Sequence, residues 1–98
     1  MCAMILHTID ASPRSSAFDD CIRVAQSGDA IVLLGDAVYA SQPNSSTALQ
    51  STDSKVTVYA LESDAIARGI TIDGSVSAIN IEGLVVLTEE YARQLAWY

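Results

Sequence analysis

Positive charge is scarce in this chain: five Lys and Arg stand against twelve Asp and Glu, for a net charge of -7. Binding to a phosphate backbone is electrostatic at root, so this chain alone is expected to be a poor nucleic-acid binder, with no direct nucleic-acid contact of its own. Cysteine is scarce too. Cys2 and Cys21 form no CxxC pair and no disulfide framework, so reduced thiols are expected. There is one histidine, His7, with no carboxylate cluster at ligand spacing around it, so no metal set is read and a satisfied strand-end histidine is expected. The five glycines, Gly28, Gly35, Gly69, Gly74 and Gly83, fall at the wrong intervals for GxGxxG or for GxxxxGK followed by Ser or Thr, so no nucleotide or other cofactor is implied. GxSxG is missing, which leaves hydrolase chemistry without support. Apolar runs such as Ile31 to Leu34 and Leu84 to Leu87 are far shorter than the roughly 18 residues of a membrane span. Met1-Cys2-Ala3-Met4 lacks the basic start and long apolar core of a secretion signal, so a cytoplasmic location is expected, with no membrane partner.

What remains is apolar. Of the 98 residues, 50% are hydrophobic and only 17% charged. That length predicts a single domain over residues 1–98, and disorder is not expected. A chain so short cannot hide that many apolar side chains in one core. Some are expected to face a partner protein, and the isolated chain is expected to self-associate as a homo-oligomer or to be marginally stable.

Met4 to Thr8 reads as a first strand, with Ser12-Pro13 as a turn. Ser16 is expected to cap a helix in which Phe18, Cys21, Ile22 and Ala25 recur on one face, with Gly28 closing it. Ala30 to Leu34 is a continuous apolar run bounded by Asp29 and Gly35, the pattern of a strand buried on both faces. Asp36 is expected to cap a short helix through Tyr39 or Ala40. The serine-rich stretch from Ser41 to Ser54, with a weak helical patch at Thr47 to Gln50, is expected to be the mobile part. Val56 to Leu61 reads as a third strand, Ser63 to Arg68 as a helix ended by Gly69, and Val76 to Ile81 as a fourth strand. Gly83 to Tyr91 reads as a last helix and Gln94 to Tyr98 as an edge strand.

Strands separated by helical segments imply parallel crossovers with helices on both faces. The expected fold is therefore α/β: a small three-layer α/β/α sandwich of flavodoxin-like type, with about four to five mostly parallel strands. Sites on such a sheet lie beyond the carboxyl ends of the strands, here near Asp10 to Pro13, Gly35 to Tyr39 and Leu61 to Asp64. Receiver domains share this architecture but need a phosphorylatable Asp ending the third strand and a late lysine. Here that strand ends Tyr59-Ala60-Leu61, and Lys55 precedes it.

Cys21 is the candidate for covalent chemistry, because a thiolate can accept sulfur as a persulfide and pass it on. It also lies on the apolar stripe of the first helix, where a cysteine is a small buried hydrophobe, and Asp19 and Asp20 beside it are expected to raise its pKa. Cys2 reads as incidental.

Leu6-His7-Thr8 with Ser12-Pro13, then Gly28-Asp29 leading into Val32-Leu33-Leu34 and Asp36-Ala37-Val38-Tyr39-Ala40, open a recognisable pattern. Val58-Tyr59-Ala60-Leu61 with Asp64, Ala67-Arg68-Gly69, Gly83 to Thr88 and Gln94 to Trp97 complete it. In order and spacing, from Met4 to Trp97, these resemble the TusB/DsrH family. The resemblance implies a DsrEFH-like fold and a small subunit of a heterohexameric sulfur-relay complex, two copies each of three related subunits. Its partners would be TusC/DsrF-like and TusD/DsrE-like. TusBCD-like complexes relay persulfide sulfur toward 2-thiolation of the wobble uridine of tRNA, and DsrEFH-like ones serve sulfur oxidation. The principal sulfur-carrying cysteine belongs to the TusD or DsrE-type subunit, which implies a structural role here. DsrH-like members carry a cysteine in helix one, and Cys21 matches it, which keeps Cys21 as the alternative carrier. Tyr39 and Trp97 are candidate interface residues, since aromatics are enriched at interface cores; for Trp97 the other reading is a side chain folded onto its own core.

Overall fold

The computed structural model describes residues 5–12, 15–26, 28–42, 56–72, 76–91 and 93–97. Among them the chain runs β1 (Ile5–Ile9), α1 (Ser16–Val24), β2 (Ala30–Leu33), a 3-10 helix (Gly35–Ser41), β3 (Thr57–Leu61), α2 (Glu62–Ala67), β4 (Ser77–Ile79), α3 (Ile81–Glu90) and β5 (Arg93–Trp97). The strands form one sheet in the order β4-β3-β2-β1-β5, every pair parallel. β2 is buried along its whole length, as its unbroken apolar run predicts.

The two faces are covered differently. Ile9, Ile31, Leu33 and Ala60 pack against Phe18, Cys21 and Ile22 of α1, Ala37 and Val38 of the 3-10 helix, and Ala65 of α2. On the other face Leu6, Ala30 and Val32 meet Leu87, with Leu84, Tyr59 and Ile79 alongside. Crossovers between parallel strands are right-handed, so travel from β1 to β4 in one direction places α1 and α2 on the same face. The return from β4 to β5, on the far side of β1, reverses the direction and places α3 on the other. The three-layer α/β/α sandwich follows.

Several local expectations shift by a residue or a role. Ser15, not Ser16, caps α1: its backbone is extended and its Oγ accepts the Phe18 N–H at 3.3 Å. The helix ends at Val24, four residues before Gly28. The chain leaves it because the Asp29 carboxylate takes the Gln26 N–H at 3.0 Å, and Gly28, at φ 95, serves the turn that delivers Asp29. Asp36 caps nothing. The residue preceding the 3-10 helix is Leu34, which offers no side-chain cap, and Asp36 sits inside the first turn, where Arg68 donates to its carboxylate at 3.3 Å. β4 stops at Ile79 and α3 starts at Ile81, earlier than Gly83, because Asn80 Oδ1 accepts the Gly83 N–H at 2.8 Å and so sets the helix start. Of the Ser41 to Ser54 stretch, Ser41 closes the 3-10 helix, buried, with its hydroxyl donating to the Val38 carbonyl. The rest, beyond Gln42 and including Thr47 to Gln50, lies outside the described residues, as does Cys2. Among the described residues no helix is long and apolar enough to cross a membrane.

Candidate functional site

Cys21 lies on the inner face of α1 with no exposed surface, one turn from Phe18 and next to Ile22. Burial pushes its thiol up to about 12, and the negative charge of Asp29 adds to the shift. Asp19 and Asp20, the expected cause, are both exposed on the outer side of the helix, so the acidic contribution comes instead from the residue that opens β2. The nucleophilic and sulfur-accepting form is the thiolate. In this fold Cys21 is a neutral thiol inside the core at neutral pH. Among the described residues no group of three or more His, Cys, Asp and Glu is placed to hold a metal ion.

A polar network crosses the same side of the sheet. His7 is not at a strand end but in the middle of β1, fully buried. Its Nε2 lies 3.0 Å from Asp29 Oδ2, and the Trp97 Nε1 lies 3.2 Å from its Nδ1. An indole N–H can only donate, so Nδ1 must accept, and the imidazole proton sits on Nε2 and is donated to Asp29. Asp29 also accepts the Ile5 N–H at 2.9 Å and the Gln26 N–H at 3.0 Å. Burial pushes the Asp29 carboxyl up. The hydrogen bonds from Gln26, His7 and Ile5 outweigh that and hold it below the usual carboxylate range. One carboxylate thereby ties the start of β1, the turn before β2 and, through His7, the end of β5.

Trp97 is thus half-buried and turned inward, its ring centroid 6.2 Å from that of His7, while its carbonyl accepts the Asp10 N–H at 3.0 Å. It clasps the last strand to the first. Trp97→Phe keeps the aromatic bulk but strands the His7 Nδ1 acceptor in a buried site. A loss of about 1–3 kcal/mol is expected, read by urea unfolding followed by far-UV circular dichroism. No measurable loss would mean that water replaces the indole. Tyr39, the other interface candidate, projects from the 3-10 helix at the carboxyl edge of the sheet with 42% of its surface exposed.

That edge is organised around Gly35. Its N–H donates to Asp64 Oδ2 at 2.8 Å, which ties the chain after β2 to α2. Its φ of +50 suits glycine, and a Cβ added there would fall 1.9 Å from Asp10 Oδ1. The edge offers carboxylate acceptors, and the one on Asp64 fixes the turn after β2. Asp29 is the residue that sequence reasoning missed, because it was read only as a strand boundary. The available signal was a lone histidine and an acid heading the next, wholly apolar strand, two groups that burial would force to pair.

The DsrH like protein family matches residues 11–94 of this chain. Protein TusB of Pectobacterium carotovorum subsp. carotovorum is 40% identical over 95 residues, covering 95% of this chain and 100% of that protein. Protein TusB of Salmonella enteritidis is 36% identical over the same shares of both chains, 95% and 100%. The crystal structure of the ychN protein from E. coli superposes with a TM-score of 0.81 at 17% identity, covering 97% of this chain and 99% of that one, which is a likeness of fold. The solution structure of protein Tm0979 from Thermotoga maritima gives a TM-score of 0.66 at 26% identity, over 89% of this chain and 93% of that one.

Proposed function

The chain belongs to the DsrH family, and from that premise we propose that it is a structural subunit of a multi-subunit sulfur-relay complex supporting 2-thiolation of the wobble uridine of tRNA. Its partners are TusC/DsrF-like and TusD/DsrE-like subunits. The observation that carries the structural role is Cys21. A relay thiol must be reachable by a partner's persulfide and must ionise, and this one is enclosed by the core with its pKa pushed up to about 12. The TusB relatives, matched over their whole length, support the tRNA branch over sulfur oxidation. The net charge of -7 suits a subunit that leaves tRNA contact to others.

The test is Cys21→Ala in the complex coexpressed with the TusC-like and TusD-like subunits of the same organism. Assembly and the rate of persulfide transfer to the downstream acceptor are expected to be unchanged. The substituted chain should lose on the order of 1 kcal/mol of stability from the small cavity. Rapid alkylation of native Cys21, joined to slowed transfer in a complex that still assembles, would make this subunit a carrier and overturn the structural role.

A further inference from the structure

α3 shows solvent a face that its own chain does not explain. Leu84, Leu87 and Tyr91 turn toward the sheet, while Ile81, Val85 and Val86 point outward, Ile81 with 56% of its surface exposed. Branched side chains of this kind lower helix propensity and here contribute little to the core, so neither local structure nor burial accounts for them. Across from Ile81, Ile66 of α2 is 70% exposed, and the two isoleucines line a groove of about 310 Å³ together with Glu62, Ser63, Asn80 and Glu82. That volume is at the low end for a small-molecule pocket and suits one or two inserted side chains.

The charges around this surface have one sign. Glu62 and Glu82 flank the groove, and Glu89 and Glu90 continue along the exposed side of α3. None of the four is in an ion pair among the described residues. Glu89 and Glu90 sit at the carboxyl end of α3, where the helix dipole disfavours negative charge and the last turn holds no basic residue. Two copies meeting through this face would set these glutamates against their own counterparts. Glu62 and Glu82 lie in the first turns of α2 and α3, where the helix dipole favours them. A partner with positive charge around an apolar tip would therefore relieve the conflict at Glu89 and Glu90 and meet the two glutamates that flank the groove.

We propose that the groove between α2 and α3, with the outer face of α3, is a docking surface for a partner-subunit segment that inserts an aliphatic or aromatic side chain between Ile66 and Ile81 and places Lys or Arg against Glu62, Glu82, Glu89 and Glu90. This rests on the reading of the chain as a subunit of a larger complex.

The test uses the full chain coexpressed with the TusC-like and TusD-like subunits of the same organism. Ile66→Glu with Ile81→Glu is expected to weaken assembly by roughly thirtyfold or more, because it places charge in the centre of the contact. Thermal unfolding of the isolated chain should be unchanged, since both side chains are largely exposed. Glu82→Lys with Glu89→Lys is expected to weaken assembly about tenfold or more at low salt. Affinity of the unsubstituted chain should fall as salt is added, whereas that of the reversed variant should not. Unsubstituted chain that assembles, joined by variants that assemble equally well, would overturn the docking surface and leave the subunit reading standing. Failure of the unsubstituted chain to assemble would remove both. Self-association of the isolated chain that Ile81→Glu abolishes would assign the face to a second copy and overturn the basic partner.

Discussion

Asp29→Ala is expected to lower the stability of the folded chain by about 3–5 kcal/mol at neutral pH. The side chain is almost wholly buried and accepts three hydrogen bonds, from the backbone N–H groups of Ile5 and Gln26 and from His7 Nε2. Alanine would strand all three donors, each costing about 1–3 kcal/mol when buried, and donors of one network do not add in full. The pH dependence follows from the direction of the shift. The folded carboxyl titrates below its unfolded value of about 3.9, so the unfolded chain binds the proton more readily across that interval. The stabilisation is fully present above the unfolded value and is lost as pH falls through the folded one. The gap between native chain and variant, measured by urea unfolding at a series of pH values, should therefore be constant from neutral pH down to about 5 and then shrink in acid. A gap that stays the same into strong acid would mean that a neutral carboxyl serves the network equally well.

Phe18→Ala should cost about 3–5 kcal/mol as well, by a different route. Phe18 has no exposed surface and packs between α1 and the sheet in the cluster that includes Ile9, Ile31 and Leu33. Its backbone N–H carries the Ser15 cap, which alanine retains, so the loss would come from the vacated volume alone. The void opens one turn from Cys21, and the expected second readout is faster alkylation of that thiol in the native state through local openings of α1. A loss well under 1 kcal/mol, with Cys21 still protected, would show that α1 settles onto the sheet and fills the space.

How far these features were legible in the sequence depended on the range of the interaction behind them. Ala30 to Leu33 and the Phe18, Cys21, Ile22 stripe were readable because periodicity and burial along a single segment leave few alternatives. The parallel α/β/α sandwich followed, since strands joined by helical crossovers have essentially one way to cover both faces of a sheet. Cap positions were less secure. Ser15 and Ser16 are equally good caps as residues, and only the backbone conformation of the folded chain chooses between them.

Fold class, the order of strands and helices, and the family pattern are properties of local order and spacing, and they are legible without the folded chain. Tertiary structure alone decided that Asp29 is a hub rather than a strand boundary. Its donors come from β1 and from the turn after α1, and through His7 it reaches Trp97, 90 positions along the chain from that histidine. It also decided that Trp97 faces inward and that α3 keeps Val85 and Val86 outside. An apolar side chain carries no mark of whether it is meant for its own core or another protein's. The helix packs with whichever stripe meets the sheet, and the second stripe becomes visible only when the first has been covered.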